Sequence, residues 1–298
     1  MTPLPDLNRA AFFDYSDRVK LRVSGADSSR FLNGQVTNDL RKATATATIQ
    51  ASILNAKGKL SAHVFISRGD DGAYLLDADG KLREELPARL ERYIIADDVQ
   101  IEDVTGRISI LHFIGERPAA IPSSARIVAS DRFGSPGWDV WCDRASETEL
   151  RRQFAERFTF CDEVCAETFR IERGIPRWGR ELTNEIIPVE ANLEPTSIDY
   201  EKGCYIGQEV ISRMKMSGQT NKRLCGLMSL SSAPLAADMR LTSETEPGRD
   251  AGWITSATRS DRLGSEIALG YVKRGFNENG TRLLAGEIPV RVTALPFI

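Results

Sequence analysis

One thiol, Cys204, stands between two glycines in Lys202-Gly203-Cys204-Tyr205-Ile206-Gly207-Gln208-Glu209. A cysteine acts as its thiolate, and a neighbouring lysine and a nearby helix N-terminus both favour that form. Lys202 lies just before it. The stretch after Gly207 predicts a helix, with Val210, Ile211 and Met214 on one face and Ser217-Gly218 as its stop. Gly203 and Gly207 permit backbone conformations and close approaches that a side chain would block. The chemistry implied is that of a reactive thiolate. A small buried cysteine in a glycine turn is the structural alternative.

The rest of the chain narrows the company this thiol can keep. Only two histidines occur, His63 and His112, which excludes a histidine-rich metal site and places any Cys-His pairing far apart in sequence. The five cysteines are an odd number without a paired framework, which predicts a reducing, cytoplasmic setting. Cys161 and Cys165 read as two core thiols one helical turn apart rather than as zinc ligands, and no metal site is expected.

A second dense patch is Arg170-Ile-Glu172-Arg173-Gly174-Ile-Pro-Arg177-Trp178-Gly-Arg-Glu181. A helix ending near Gly174 puts Glu172 in its last turn, where the helix dipole disfavours a carboxylate. Arg170, Arg173 and Arg177 compensate it in an ion network, or the carboxylate faces a planar heterocycle and accepts a two-pronged hydrogen bond from adjacent N–H donors. Trp178 offers an aromatic face nearby or a buried core ring. The segment Ile187-Pro-Val-Glu190-Ala-Asn192-Leu193 continues the same irregular stretch.

The elements that must position these residues follow from period and punctuation. Residues 18–24 alternate as a strand, and Ser28 to Leu32 form a short helix closed by Asn33-Gly34. Residues 46–55 and 60–67 make a hairpin around Asn55-Ala-Lys-Gly58, and 72–77 another strand. A helix follows from Lys81 to Tyr93, with Leu82, Leu86, Leu90 and Tyr93 on one face. Strands are expected at 98–103, 107–114 and 138–142, then helices at 146–157 and 161–174. This order lacks the strand–helix alternation of a parallel sheet, so the class is α+β. Beyond Lys222 the pattern becomes strands alone, at 223–230, 251–258, 267–272 and 288–295, which predicts a small all-β barrel or jelly roll.

The 298 residues, 41% hydrophobic and 27% charged, fit a soluble globular protein of two or three domains. The division expected is 1–222, an α+β region, and 223–298, the barrel. A net charge of -3 provides no general pull toward nucleic acid or anionic membrane, and neither partner is expected. Met1-Thr-Pro-Leu-Pro-Asp6 lacks a signal-peptide pattern, and no apolar run approaches the about 20 residues that span a bilayer. Gly58-Lys59 lacks the upstream glycine of a phosphate-cradling loop.

Lys-Gly-Cys-Tyr-x-Gly-Gln-Glu at 202–209 resembles the signature of the YgfZ family, folate-binding proteins related to the T-protein of the glycine cleavage system. The 170–182 and 187–193 segments are similar to stretches both groups share, and Gly25 to Asp39 to the family's first loop. Gly252 to Ser256, Ala268 to Val272 and Leu295-Pro-Phe297 resemble the T-protein C-terminal domain, so the likeness runs nearly the whole chain in order.

The resemblance implies a three-domain cloverleaf around a central opening, built from two ferredoxin-like α+β lobes and a C-terminal β-barrel. It implies tetrahydrofolate, or a one-carbon derivative, as ligand. Glu172 would meet the pterin, Arg213 the glutamate tail, and Lys202, Tyr205, Gln208 and Trp178 complete the candidate cofactor-binding set. It further implies support of iron–sulfur cluster assembly or repair in client enzymes, including tRNA-modifying ones, with Cys204 as functional thiol. A lone thiolate does not hold a cluster, which takes four ligands. The chain departs from the T-protein after Gly58, where an acidic pair is replaced by Lys59-Leu60-Ser61-Ala62-His63. Aminomethyl transfer or demethylation of T-protein type is therefore the second expectation, and a scaffold with a vestigial pocket the third. His63 is either a substitute acid–base group for that acidic pair or, as expected, an ordinary strand histidine.

Overall fold

The structure is a computed structural model that describes residues 10–119, 121–246 and 248–298. The signal-peptide reading of Met1 to Asp6 lies outside the described residues. The chain forms two compact units: residues up to Cys165 with Glu194–Val210, and Ala166–Leu193 with Ile211–Ile298.

In the first unit the order is β1 (Ala11–Asp14), β2 (Val19–Ser24), α1 (Ser28–Gln35), β3 (Ile49–Leu54), β4 (Leu60–Arg68) and β5 (Tyr74–Ala78). There follow α2 (Glu85–Glu91), β6 (Gln100–Asp103), β7 (Ile108–Ile114), β8 (Arg126–Ala129), β9 (Gly137–Asp143), α3 (Glu147–Ala155) and β10 (Thr159–Cys161). The strands make two five-stranded sheets, ordered β3-β4-β5-β2-β6 and β10-β1-β7-β9-β8, in which the β1–β10 pair alone runs parallel. On β2, Val19, Leu21 and Val23 are fully buried and Arg22 turns outward, but Lys20 breaks the alternation: it too is fully buried, its ammonium donating to the carbonyls of Ser16 and Arg18 at 2.9 and 2.8 Å. One core is aromatic, with Phe12 stacked on Phe113 at 5.5 Å and Phe154 edge-on to Phe113 at 4.7 Å.

A buried ionic group ties the two sheets together. Arg132 donates through Nη1 and Nη2 to both oxygens of Asp77 on β5, at 3.0 and 2.8 Å. Its Nε and Nη2 donate to both oxygens of Asp139 on β9, at 2.9 and 2.8 Å. Asp139 is also bonded to His112 Nδ1, and the Arg132 guanidinium lies 4.2 Å over the Phe65 ring. The bidentate geometry compensates the burial of both carboxylates.

The second unit holds most of α4 (Glu163–Glu172), the last seven residues of α6 (Gln208–Ser217), and a closed barrel; a short α5 (Glu194–Ser197) belongs to the first unit. The barrel strands are β11 (Lys222–Ser229), β12 (Arg240–Ser243), β13 (Asp250–Ser260), β14 (Ser265–Lys273), β15 (Arg282–Ala285) and β16 (Ile288–Thr293). They close in the order β11-β14-β13-β12-β15-β16. Val290 and Val292 point into the barrel core and Arg291 outward, the alternation seen in the sequence. The fold is thus α+β with a C-terminal β-barrel. Among the described residues no helix is long and apolar enough to cross a membrane.

Some elements differ from expectation. The 81–93 helix is a 3-10 turn, Gly80–Leu82, followed by α2. Leu82, Leu86 and Leu90 are buried, but Tyr93 is exposed beneath the Arg89 guanidinium at 4.2 Å, because the helix ends at Glu91 and its period stops there. The helix expected from Ser28 runs past Gly34 to Gln35. Cys161 lies on β10, not on a helix with Cys165, because parallel pairing with β1 claims it. Both thiols are buried, and the hydrogen bond to Cys165 holds the Cys161 thiol well above its usual range.

Candidate functional site

The Cys204 loop is built on the first unit's own backbone. Asp199 accepts from the amides of Glu201 and Lys202 at 2.7 and 3.2 Å, an Asx turn that starts the loop. Its other oxygen pairs with Lys42 at 2.7 Å. The amide of Asp199 donates to the Thr37 carbonyl, and that of Ile206 to the Gly34 carbonyl. Thr37 Oγ1 donates to the Ser197 carbonyl and accepts from the Ser52 amide at 2.8 Å. Asn38 Nδ2 bridges the carbonyls of Gln50 and Thr196 at 2.8 and 3.2 Å. The 33–39 and 202–209 segments, more than 160 residues apart, are therefore one hydrogen-bonded platform.

Lys202 braces that platform. It is 5% exposed, and its Nζ donates to the carbonyls of Asn33 and Val36, both at 2.5 Å, at the C-terminal end of α1. Those carbonyls lack helical partners, and an ammonium there also complements the helix dipole. Burial pushes its pKa down to about 8. Its ammonium is held by backbone oxygens and by the Tyr205 ring, 5.1 Å away.

Gly207 lets the loop dock. Its φ is +84°, and a Cβ there would stand 2.7 Å from the Asn55 carbonyl oxygen in the β3–β4 turn. Gly203 meets nothing within 4 Å, so its small size is not required by packing. Cys204 between them is exposed, whereas the other four cysteines are buried. Tyr205 is 8% exposed, and burial pushes its hydroxyl up to about 12. Gln208 opens α6 half-buried, and its carboxamide has no hydrogen-bond partner among the described residues. Lys202, Cys204, Tyr205 and Gln208 thus share one loop of the first unit.

The remaining candidates, Glu172, Trp178 and Arg213, lie in the second unit. Gly174 ends α4 at φ +69°, with the Ile175 amide donating to Arg170 and the Gly174 amide to Ile171, a Schellman motif. Glu172, in the last turn, is fully buried; Ser260 Oγ donates to it at 2.5 Å and Arg262 approaches at 3.5 Å. Burial raises its pKa despite those donors. A ligand there would compete with partners already in place. Trp178 is half-buried and Arg213 exposed.

Sequence reasoning missed two arrangements nearby. Glu181 is fully buried and accepts from Arg170, Thr255, Ser256 and the Arg177 amide, all within 3.1 Å. Glu190 is 5% exposed, pairs with Lys222 at 3.1 Å and accepts from the Ile187 amide at 3.2 Å. The Pro188-x-Glu190 turn was visible in the sequence; its lysine partner, 32 positions on, was not. His63 stands on β4 with Nε2 buried and without a hydrogen-bond partner among the described residues, and burial pushes its pKa down to about 3. It stays neutral near neutral pH, as an ordinary strand histidine would.

Comparison with known proteins agrees with this architecture. Residues 7–132 match the family model of the GCVT N-terminal domain, and residues 222–298 that of the glycine cleavage T-protein C-terminal barrel domain. The chain is 28% identical over 290 residues to the tRNA-modifying protein YgfZ of Aliivibrio fischeri, covering 93% of this chain and 88% of that one. It is 27% identical to a putative chloroplastic transferase of Arabidopsis thaliana, covering 98% and 72%, and 23% identical to an aminomethyltransferase of Bacillus subtilis, covering 91% and 82%. The crystal structure of the glycine cleavage system aminomethyltransferase T from Bartonella henselae superposes with a TM-score of 0.86 at 19% identity, covering 98% of this chain and 88% of that chain. With both domain models matched in collinear order, the chain belongs to the glycine cleavage T-protein superfamily, and over most of its length it is similar to YgfZ.

Proposed function

We propose that this protein binds tetrahydrofolate and supports assembly or repair of iron–sulfur clusters in client enzymes, tRNA-modifying ones among them, with Cys204 as its functional thiol. The observation that carries the reading is the display of that one exposed thiol on a loop whose neighbouring polar groups serve the backbone. A structural cysteine is ordinarily buried, as the other four are. The thiol is a single ligand, so a cluster is cargo that it meets rather than a resident group. Glu172, Trp178, Tyr205, Lys202, Gln208 and Arg213 are the residues proposed to contribute to folate binding. For Lys202 that role is to hold the loop.

Aminomethyl transfer, the activity in the names of several relatives, is the second reading. The turn after Gly58 carries Lys59 and Leu60, so no carboxylate stands there to act on a folate nitrogen or a substrate amine. Two measurements separate these readings. Calorimetry with tetrahydrofolate on the intact protein is expected to show binding; none would remove both. Cys204→Ala is expected not to restore iron–sulfur enzyme activity in cells lacking the protein. Full restoration would sink the thiol role, and folate-dependent turnover of a methyl or aminomethyl donor by that variant would establish the transferase.

A further inference from the structure

The second unit holds a cavity of about 470 Å³ lined wholly by its own residues, between the Gly174 turn, the start of β11, the β14–β15 loop and the chain after β16. That volume is in the range of small-molecule sites. No aspartate or glutamate lines it, while two arginines and three asparagines do: Arg173, Arg223, Asn192, Asn277 and Asn279.

These polar groups are not equivalent. Asn192, held at φ +59°, donates through Nδ2 to the Leu224 carbonyl at 2.8 Å and accepts from Arg223 Nε at 2.7 Å. That pair of bonds fixes the direction of the Arg223 side chain and leaves both its terminal nitrogens without a partner among the described residues. No carboxylate comes within ion-pair distance of Arg223 among the described residues, although most arginines of this chain have one. The carboxamides of Asn277 and Asn279 likewise have no hydrogen-bond partner among the described residues. Arg173 donates to the Ile298 carbonyl at 2.8 Å from the far wall. Val292 and Leu295 supply an apolar wall, and Cys225 is a buried thiol pushed up to about 11, an inert part of the lining.

A guanidinium fork held in place without a counter-charge, beside two amides with open donors, matches an oxyanion with further hydrogen-bonding groups. We propose that this cavity is a binding site for a small organic anion whose carboxylate or phosphate group is taken by Arg223. Asn192 is the positioning residue, and Asn277 and Asn279 hold the rest of the ligand. The site involves neither Cys204 nor Glu172, so it stands or falls apart from the function proposed above.

The test is a two-dimensional amide NMR titration of the full chain with two probes, glutarate for a carboxylate and adenosine monophosphate for a phosphate. Tetrahydrofolate is left out, so that folate binding and this site are read separately. Saturable shifts of the amides around Arg223, Cys225, Asn277 and Asn279 are expected with at least one probe, and the probe that binds names the ligand class. Arg223→Gln is expected to weaken that binding by about tenfold or more, since one charge-assisted pair is lost. Asn192→Ala, which frees the fork without removing it, should weaken binding less and leave the melting temperature of Arg223→Gln as its own control for folding. Absence of shifts with both probes up to about tenfold above ordinary metabolite KM values would overturn the proposal, as would unchanged affinity in a folded Arg223→Gln variant.

Discussion

The 170–182 segment of the second unit and the 199–208 loop of the first look alike in sequence, each crowding charged residues among glycines. Their structures differ in what the charges do. In the first, the Glu181 carboxylate collects Arg170, Thr255, Ser256 and an amide in a dry pocket, so every charge in its immediate circle is answered from within. In the second, the lysine is answered by two carbonyls and the aspartate by two amides and a lysine, but the thiol is answered by nothing in the loop and is exposed. Polar density alone therefore does not mark a site. The informative residues are those left over once the folded chain has satisfied the others, here Cys204 and Gln208.

Removing the centre of the satisfied cluster is the sharpest way to break this contrast. Glu181→Ala leaves Arg170 Nη1, the Ser256 hydroxyl and the Arg177 amide short of an acceptor in the interior, and should cost about 3–5 kcal/mol. Cys204→Ala should stay within about 0.5 kcal/mol. Urea unfolding of both variants checks the difference; similar losses would mean that the thiol is a packing residue after all.

Within the loop, the two glycines should part company. Gly207→Ala forces a side chain into the left-handed region against the Asn55 carbonyl and should cost about 1–3 kcal/mol. Gly203→Ala enters open space and should be near neutral. Paired melting temperatures decide it, and equal effects would show that the loop is not docked on the β3–β4 turn.

The smallest expected effect is one of pH, in the buried group between the sheets of the first unit. Burial holds the folded pKa of His112 below its ordinary 6.5, even though Asp139 pulls it the other way. The unfolded chain then binds the proton first, so the stabilisation is present above about pH 6.5 and is lost as pH falls below it. The slope is at most about 1.4 kcal/mol per pH unit for one proton. Asp139, whose carboxylate Arg132 and His112 hold below its usual range, adds a further loss beneath its ordinary 3.8. Urea midpoints from pH 7 to pH 4 for the wild type and for His112→Asn would test the assignment, since the variant should flatten the first part of the curve.

Regular alternation was legible because it is local. The start of β4 and β16 alternate as the sequence does, while β7 and β9, buried on both faces, were legible as apolar runs between turns. The short strands β1, β8, β10, β12 and β15 were not recognised, since three or four residues contain too little period to read. Their strand character comes from partners far along the chain, as when β10 lies parallel to β1 nearly 150 positions away. The same limit applies to the site. Cys204, Gly207 and the helix start at Gln208 were visible as a motif, whereas the two carbonyls that hold Lys202 lie on another segment.

By itself the sequence determined the class of fold, the α+β region followed by strands alone, and the one loop in which chemistry was worth seeking. Residue type, period and spacing act over a few neighbours, and these features need no more. The tertiary structure decided which charges are structural. It made Lys202 a brace for α1, filled the surroundings of Glu172 and Glu181 with donors, and left Arg223 without a counter-charge among the described residues. Desolvation and pairing depend on which groups the fold brings within about 3 Å of one another, and that is settled only when distant segments meet.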